Sequence, residues 1–121
     1  MNATVKQITP ILLVKNLERA IQFYVEQLGF TLDFMYEDFY AGMEKDGHPV
    51  HLKMVDGTAG EDFIRRNNED VCLLFSVDDI AELFREISAK PINIVQPLRE
   101  MPYGMEFYIA DPDGNLIAFM S

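Results

Sequence analysis

The chain is predicted to be an α+β protein built from two copies of one βαβββ unit. Three observations carry that prediction. The stretch Val14-Lys15-Asn16-Leu17 returns as Val77-Asp78-Asp79-Ile80, 63 residues later. Apolar residues then follow at helical steps in both copies: Leu17, Ala20, Ile21 and Tyr24 in the first, Ile80, Leu83, Phe84 and Ile87 in the second. Finally, Asp46-Gly47 returns as Asp113-Gly114, 67 residues later, each pair ahead of a short strand-like run. Two similar units can pair their sheets around a shared concave surface, and function is expected on that surface.

Residues 8–14 read as the first strand, with Pro10 marking an edge position or one whose N–H no partner needs. Asn16 is a good N-cap and Glu18 suits the first turn, so a helix is predicted over 17–28. Gly29 supplies its left-handed C′ residue. Residues 30–37 and 39–44 read as strands, Lys45-Asp46-Gly47 as a turn, and 50–55 as the strand closing the first module. Residues 56–70 form a connector, with one helical turn expected around Phe63. The second module opens with a strand over 72–77. Asp78 or Asp79 caps its helix, predicted over 80–88 and ended ahead of Pro91. Residues 92–95, 106–110 and 116–120 are the remaining strands. Residues 96–104 read as a loop with two prolines and an exposed Tyr103. Asp111-Pro112-Asp113-Gly114 is a strong turn, because Pro presets φ and Gly admits positive φ. The modules are thus 1–55 and 71–121, within one domain.

A chain of 121 residues suits one domain, or two small modules sharing a core. The net charge of −10 argues against nucleic acid and against anionic membrane surfaces as partners. Cationic and neutral ligands remain, and an acidic surface also aids solubility by itself. No apolar run approaches the roughly 20 residues that cross a bilayer, and the opening Met1-Asn2-Ala3-Thr4-Val5-Lys6 has no signal-peptide pattern. A lone Cys72 excludes an internal disulfide, and cytoplasm is the expected compartment.

The run Leu17-Glu18-Arg19-Ala20-Ile21-Gln22-Phe23-Tyr24, followed by Leu28-Gly29-Phe30, resembles a known opening pattern, "DLxRAxxFYxxxLGF". That pattern belongs to the glyoxalase, bleomycin-resistance and ring-cleaving dioxygenase superfamily, also called vicinal oxygen chelate. Residues 108–119, centred on Asp111-Pro112-Asp113-Gly114-Asn115, resemble its "DPDGN" closing hairpin. The likeness covers nearly the whole chain, in order. It implies paired βαβββ modules in a half-barrel fold and usually a homodimer, sometimes with exchanged segments.

In the family's enzymes, the strand before each helix gives one metal ligand and the strand after each Asp-Gly turn gives another. Carried onto this sequence, those positions hold Thr9, His51, Cys72 and Ala118. Ala118 has no donor atom and Thr9 offers only a neutral hydroxyl, so neither a closed zinc site nor an open catalytic one is complete. No metal and no cofactor are therefore expected. The resemblance to glyoxalase I and the dioxygenases covers fold but not chemistry. The resemblance to bleomycin-resistance proteins, which bind their drug without a metal of their own, survives. Pro49-Val50-His51-Leu52 also resembles their "xELHL" strand.

Strand alternation assigns faces. Val50, Leu52 and Met54 should face the helix, which turns His51 and Lys53 to the concave side. Thr9, Ile11 and Leu13 share that side, as do Cys72, Leu74 and Ser76 in the second module, with Leu116, Ala118, Met120, Glu106 and Tyr108. Tyr36 and Phe39 read as walls unless a bulge at Asp38 inverts one. The candidate ligand-binding residues are Thr9, Tyr36, Phe39, His51, Cys72, Tyr103, Glu106 and Tyr108. Glu106 is the carboxylate expected to meet a cationic ligand. No nucleophile stands with an evident base, and no Gly-rich phosphate loop or CxxC motif is present, so no catalytic residue is assigned. The leading reading is a metal-free binder that sequesters a small cationic or aromatic molecule at a dimer interface. Two others remain open: a metal-dependent lyase, isomerase or dioxygenase using His51 as ligand or base, and a module used only for protein interaction.

Overall fold

The computed structural model describes residues 1–55 and 70–121. The helical turn expected around Phe63, with nearly all of the connector, lies outside the described residues. Two four-stranded sheets repeat one topology. The first module runs β1 (Ile11–Val14), α1 (Leu17–Gln22), β2 (Thr31–Tyr36), β3 (Tyr40–Lys45) and β4 (His48–Met54). The second runs β5 (Val71–Ser76), α2 (Ile80–Ser88), β6 (Asn93–Met101), β7 (Gly104–Ala110) and β8 (Leu116–Met120). The ladder orders are β1-β4-β3-β2 and β5-β8-β7-β6, with β1 parallel to β4 and β5 parallel to β8. The repeat fixes the register as well as the order. Ile11 pairs with His51, and their repeat equivalents Leu74 and Ala118 pair in the same way.

Local chemistry sets the element ends. The strand read over 8–14 begins at Ile11, because Pro10 has no N–H to give; its carbonyl instead accepts from His51 N–H at 2.9 Å. Asn16 caps α1 by accepting from Arg19 N–H at 2.9 Å. The helix read over 17–28 is α-helical only to Gln22, then widens into a π-type turn over Phe23–Gln27. Gly29, at φ +77°, ends it. Asp79 caps α2, whose bounds match the expected 80–88. Asp46 and Gly47 both take positive φ, the geometry a two-residue hairpin turn needs to match the twist of β3 and β4.

The loop read over 96–104 is a correction: β6 continues to Met101. It is the outer strand of its sheet, so Pro97 breaks no ladder on its free side, and register shifts between Ile94 and Arg99 absorb the irregularity.

Each helix packs on one face of its own sheet, and the buried side chains of both modules form one core. Tyr24, Leu52, Phe107, Ile109 and Ile117 lie within it, fully buried. The turn after β7 clasps the modules together. Asp111 Oδ1 accepts from the N–H groups of Asp113 (2.8 Å) and Asn115 (2.9 Å), folding the turn on itself. Its Oδ2 accepts from Asn115 Nδ2 (3.0 Å) and from Tyr24 Oη of the first module (2.7 Å). Asn115 Nδ2 also reaches Leu13 O at 3.1 Å. Asp113 Oδ1 receives Lys15 N–H at 2.9 Å and Arg19 Nη2 at 3.0 Å. The "DPDGN" pattern therefore has a structural use: it bolts the second module to the β1–α1 corner of the first.

Candidate functional site

The candidate site lies on the sheet faces turned away from the helices. In the first sheet, Leu12, Val14, Val50 and Leu52 are buried against α1, which leaves Ile11, Leu13, His51 and Lys53 on the opposite face. Gly42 stands beside His51 and opposite Phe34, and the missing side chain makes room for that ring. A Cβ at Gly42 would lie only 2.3 Å from Phe34 Cε2. Phe34 is parallel to Tyr40 at 6.3 Å between centroids and meets His51 edge-on at 5.2 Å. The Tyr40 hydroxyl is 2.8 Å from His51 Nδ1. That bond orients the imidazole and leaves Nε2 as its available nitrogen. Tyr36 and Phe39 pack edge to face at 5.7 Å farther along, and both are exposed.

The second sheet repeats the backbone with different chemistry. Leu74, Ala118, Tyr108 and Gln96 occupy the row corresponding to Ile11, His51, Gly42 and Phe34. Glu106 lies on this face as alternation predicted, but its carboxylate is already engaged. Arg99 grips Oε2 through Nε (2.8 Å) and Nη2 (2.6 Å), and the Tyr103 hydroxyl donates to Oε1 at 2.6 Å. The Arg99 guanidinium also sits 5.6 Å from the Tyr108 ring centre, a cation–π contact. Burial pushes the Glu106 carboxyl up, but the hydrogen bonds from Tyr103 and Arg99 together outweigh it and hold it below the usual glutamate range. The same bond to Glu106, aided by burial, raises the Tyr103 phenol. Glu106 is thus half of a neutralised pair rather than a free anion.

The four positions carried over from the chelating pattern do not form one donor set. His51 is on the first sheet and Ala118, buried and without a donor, is on the second. The Thr9 hydroxyl, just ahead of β1, accepts from Gln7 Nε2 at 2.8 Å. Cys72 stands at a register shift between Val71 and Leu73, packs against the core, and its thiol donates to Asn115 Oδ1 at 3.7 Å. Among the described residues, no three His, Cys, Asp or Glu side chains gather as a metal site. Sequence reasoning missed Phe34, Tyr40 and Arg99. A signal for the first two was present in Gly42, because a glycine inside a strand marks close approach by a neighbour. Arg99 was hidden in the stretch read as a loop.

Comparisons with known proteins place this geometry in context. The family model described as the Glyoxalase/Bleomycin resistance protein/Dioxygenase superfamily matches residues 4–119. A bleomycin resistance protein of Geobacillus stearothermophilus is 30% identical, covering 93% of this chain and 94% of its own length. Among solved structures, UcmS2 superposes with a TM-score of 0.82 at 18% identity, covering 98% of both chains. The bleomycin-binding protein of Streptomyces verticillus, solved with copper(II)-bleomycin, superposes with a TM-score of 0.74 at 22% identity, again covering 98% of both chains. The structural likenesses speak to fold. Among the described residues, no helix is long and apolar enough to cross a membrane.

Proposed function

Because the chain belongs to the glyoxalase/bleomycin resistance protein/dioxygenase superfamily, we propose that it is a bleomycin-resistance-like binding protein. In this reading it holds a small ring-bearing molecule on its helix-free sheet faces and acts by sequestration, without a metal of its own. The observation that carries the reading is the content of the four positions a chelating member would use. One is a carbon-only side chain, one is a neutral hydroxyl, one thiol is turned into the core, and only His51 offers a nitrogen to the face. Such a set fits no zinc geometry. The faces do suit stacking: Phe34, Tyr40 and His51 on one sheet, and Tyr108 with Arg99 on the other, are rigid planar groups fixed by one another.

The working unit in this proposal is a homodimer in the cytoplasm. Ile11, Leu13, Phe34, Tyr36 and Leu74 are exposed on the helix-free faces of the single chain, with Phe39 exposed in the turn beside them, and a second copy would cover them while narrowing the ligand cleft. Recognition rests on stacking, with Coulomb attraction of a cation coming from the overall charge of −10. Glu106 would have to release Arg99 before meeting a ligand cation itself.

A second reading has one observation in its favour. The Tyr40–His51 bond orients an imidazole toward the face, as a general base needs. Titration of the purified protein with bleomycin, neutral aromatics and thiol adducts, alongside metal analysis, separates the two. Stoichiometric binding that raises the melting temperature, with no bound ion, supports sequestration. A stoichiometric ion, with metal-dependent turnover lost in His51→Ala, would overturn it.

A further inference from the structure

We infer that a groove at the module junction, on the helix side of the sheets, is a second binding site whose ligand is a flat organic cation. The groove has a volume of about 480 Å³, within the roughly 300–1,000 Å³ range typical of small-molecule sites. Its apolar floor is Phe75 of the second sheet and Leu83 of α2, both partly exposed, over the buried Phe119 and Ile87. Phe75 and Phe119 are neighbours of Leu74 and Ala118 in sequence, so they face the opposite side of the sheet from the site above. None of His51, Tyr108 or Arg99 lines the groove.

Charge selects the ligand. Four carboxylates line the rim, those of Glu26, Asp79, Glu82 and Glu86, against two amines, those of Lys45 and Lys90. Several of these have internal work. Asp79 caps α2, Glu82 pairs with Arg85 at 2.6 Å, Lys90 donates to Gln27 O at 3.0 Å, and Lys45 lies 3.8 Å from Asp46. Glu26 and Glu86 have no such partner among the described residues. The first helical segment also ends at the groove, at Gln27 and Leu28, where Lys90 already meets the Gln27 carbonyl. An apolar floor beneath unpaired carboxylates favours a planar cation over a neutral ring of equal shape, and four carboxylates against two amines disfavour an anion.

The test uses N-methylacridinium, acridine, which has the same ring system, at a pH where it is uncharged, and 9-anthracenecarboxylate. The expected result is saturable 1:1 binding of N-methylacridinium, about tenfold tighter than acridine. The Glu26→Gln, Glu86→Gln double variant, which alters only exposed side chains, should abolish that preference. His51→Ala and Tyr108→Phe should leave it intact. Raising salt should weaken the cation and not acridine, a check that needs no variant. Equal affinity for cation and neutral ring, preference for the carboxylate probe, or loss of binding in His51→Ala with the double variant unaffected would each overturn the assignment. The last outcome would move the cation to the other face and leave the proposed function standing. Conversely, failure of bleomycin to bind would leave the groove untouched.

Discussion

Removing one oxygen atom, in Tyr24→Phe, tests how the two modules are held together. The ring stays: Tyr24 is fully buried, edge to face with Phe23 at 5.2 Å and with Phe30 at 5.6 Å, and Phe keeps both contacts. The loss is the 2.7 Å bond to Asp111 Oδ2, which leaves that buried oxygen with Asn115 Nδ2 as its remaining donor. A hydrogen bond to a charged group contributes about 1.5–3 kcal/mol. For a domain of this size that is a drop of about 5–12 °C in melting temperature. The pH dependence makes the test specific. Burial raises the Asp111 carboxyl above the ordinary aspartate range despite opposing hydrogen bonds from Asn115, Tyr24 and Asp113. The folded state then binds the proton more tightly than the unfolded state. Its cost to stability is full above the folded pKa and is relieved as pH falls toward the unfolded value. Losing the Tyr24 donor raises the folded pKa further. The deficit of Tyr24→Phe, measured by urea unfolding, should therefore be largest at neutral pH and shrink on acidification. A deficit under about 0.5 kcal/mol, or one that is constant with pH, would refute the clasp.

Other perturbations read the two faces separately. Gly42→Ala should push the Phe34 ring off its seat and weaken binding of an aromatic ligand in a calorimetric titration, and adding Phe34→Ala should relieve the clash without restoring affinity. Glu106→Gln should cost about 1 kcal/mol at neutral pH, since Arg99 is partly open to water. Because the Glu106 carboxyl is held below its usual range, its contribution is present above the unfolded value and is lost as pH falls through the folded one, so the variant should show a flatter acid limb in chemical denaturation. Gly47→Ala, at φ +85°, should lower stability by about 1 kcal/mol with ligand affinity unchanged. Light scattering at micromolar concentration should give twice the chain mass, and a monomer would remove the dimer from the proposed function.

Where one physical rule acted alone, the sequence was readable. The caps at Asn16 and Asp79, the Asp46-Gly47 turn and the end of the first helical segment at Gly29 all follow from local chemistry, and all appear as expected. The repeat carried more than element order. Offsets of 63 and 67 residues matched Thr9 with Cys72 and His51 with Ala118, and the pairings Ile11–His51 and Leu74–Ala118 in the two ladders obey the same offsets. Reading failed where the ladder slips. The register shift between Leu32 and Phe34 determines which aromatic of β2 meets His51, and the one beside Cys72 sends that thiol toward Asn115. The shifts in β6 bring Arg99 opposite Glu106. A one-residue slip reverses every face beyond it, and alternation alone carries no sign of one.

Under the proposed function, the difference between the two sheets bears on how the protein would select a ligand. A duplicated backbone offers the same row twice, so any asymmetry between the faces is written in side chains alone. The first face has an imidazole nitrogen left open beside two aromatic rings, with Phe34 seated over Gly42. The second has an arginine fixed on both sides, by a carboxylate and by a tyrosine ring, so its planar surface is charged but internally balanced. A ligand sandwiched by one copy of each face would stack on both and gain a net charge term from neither Glu106 nor Arg99. Selectivity would then follow ring size and planarity before charge. In a ligand series at fixed ring system, affinity should change little as a side amine is added at high salt, and the change seen at low salt should be the long-range attraction of the acidic surface.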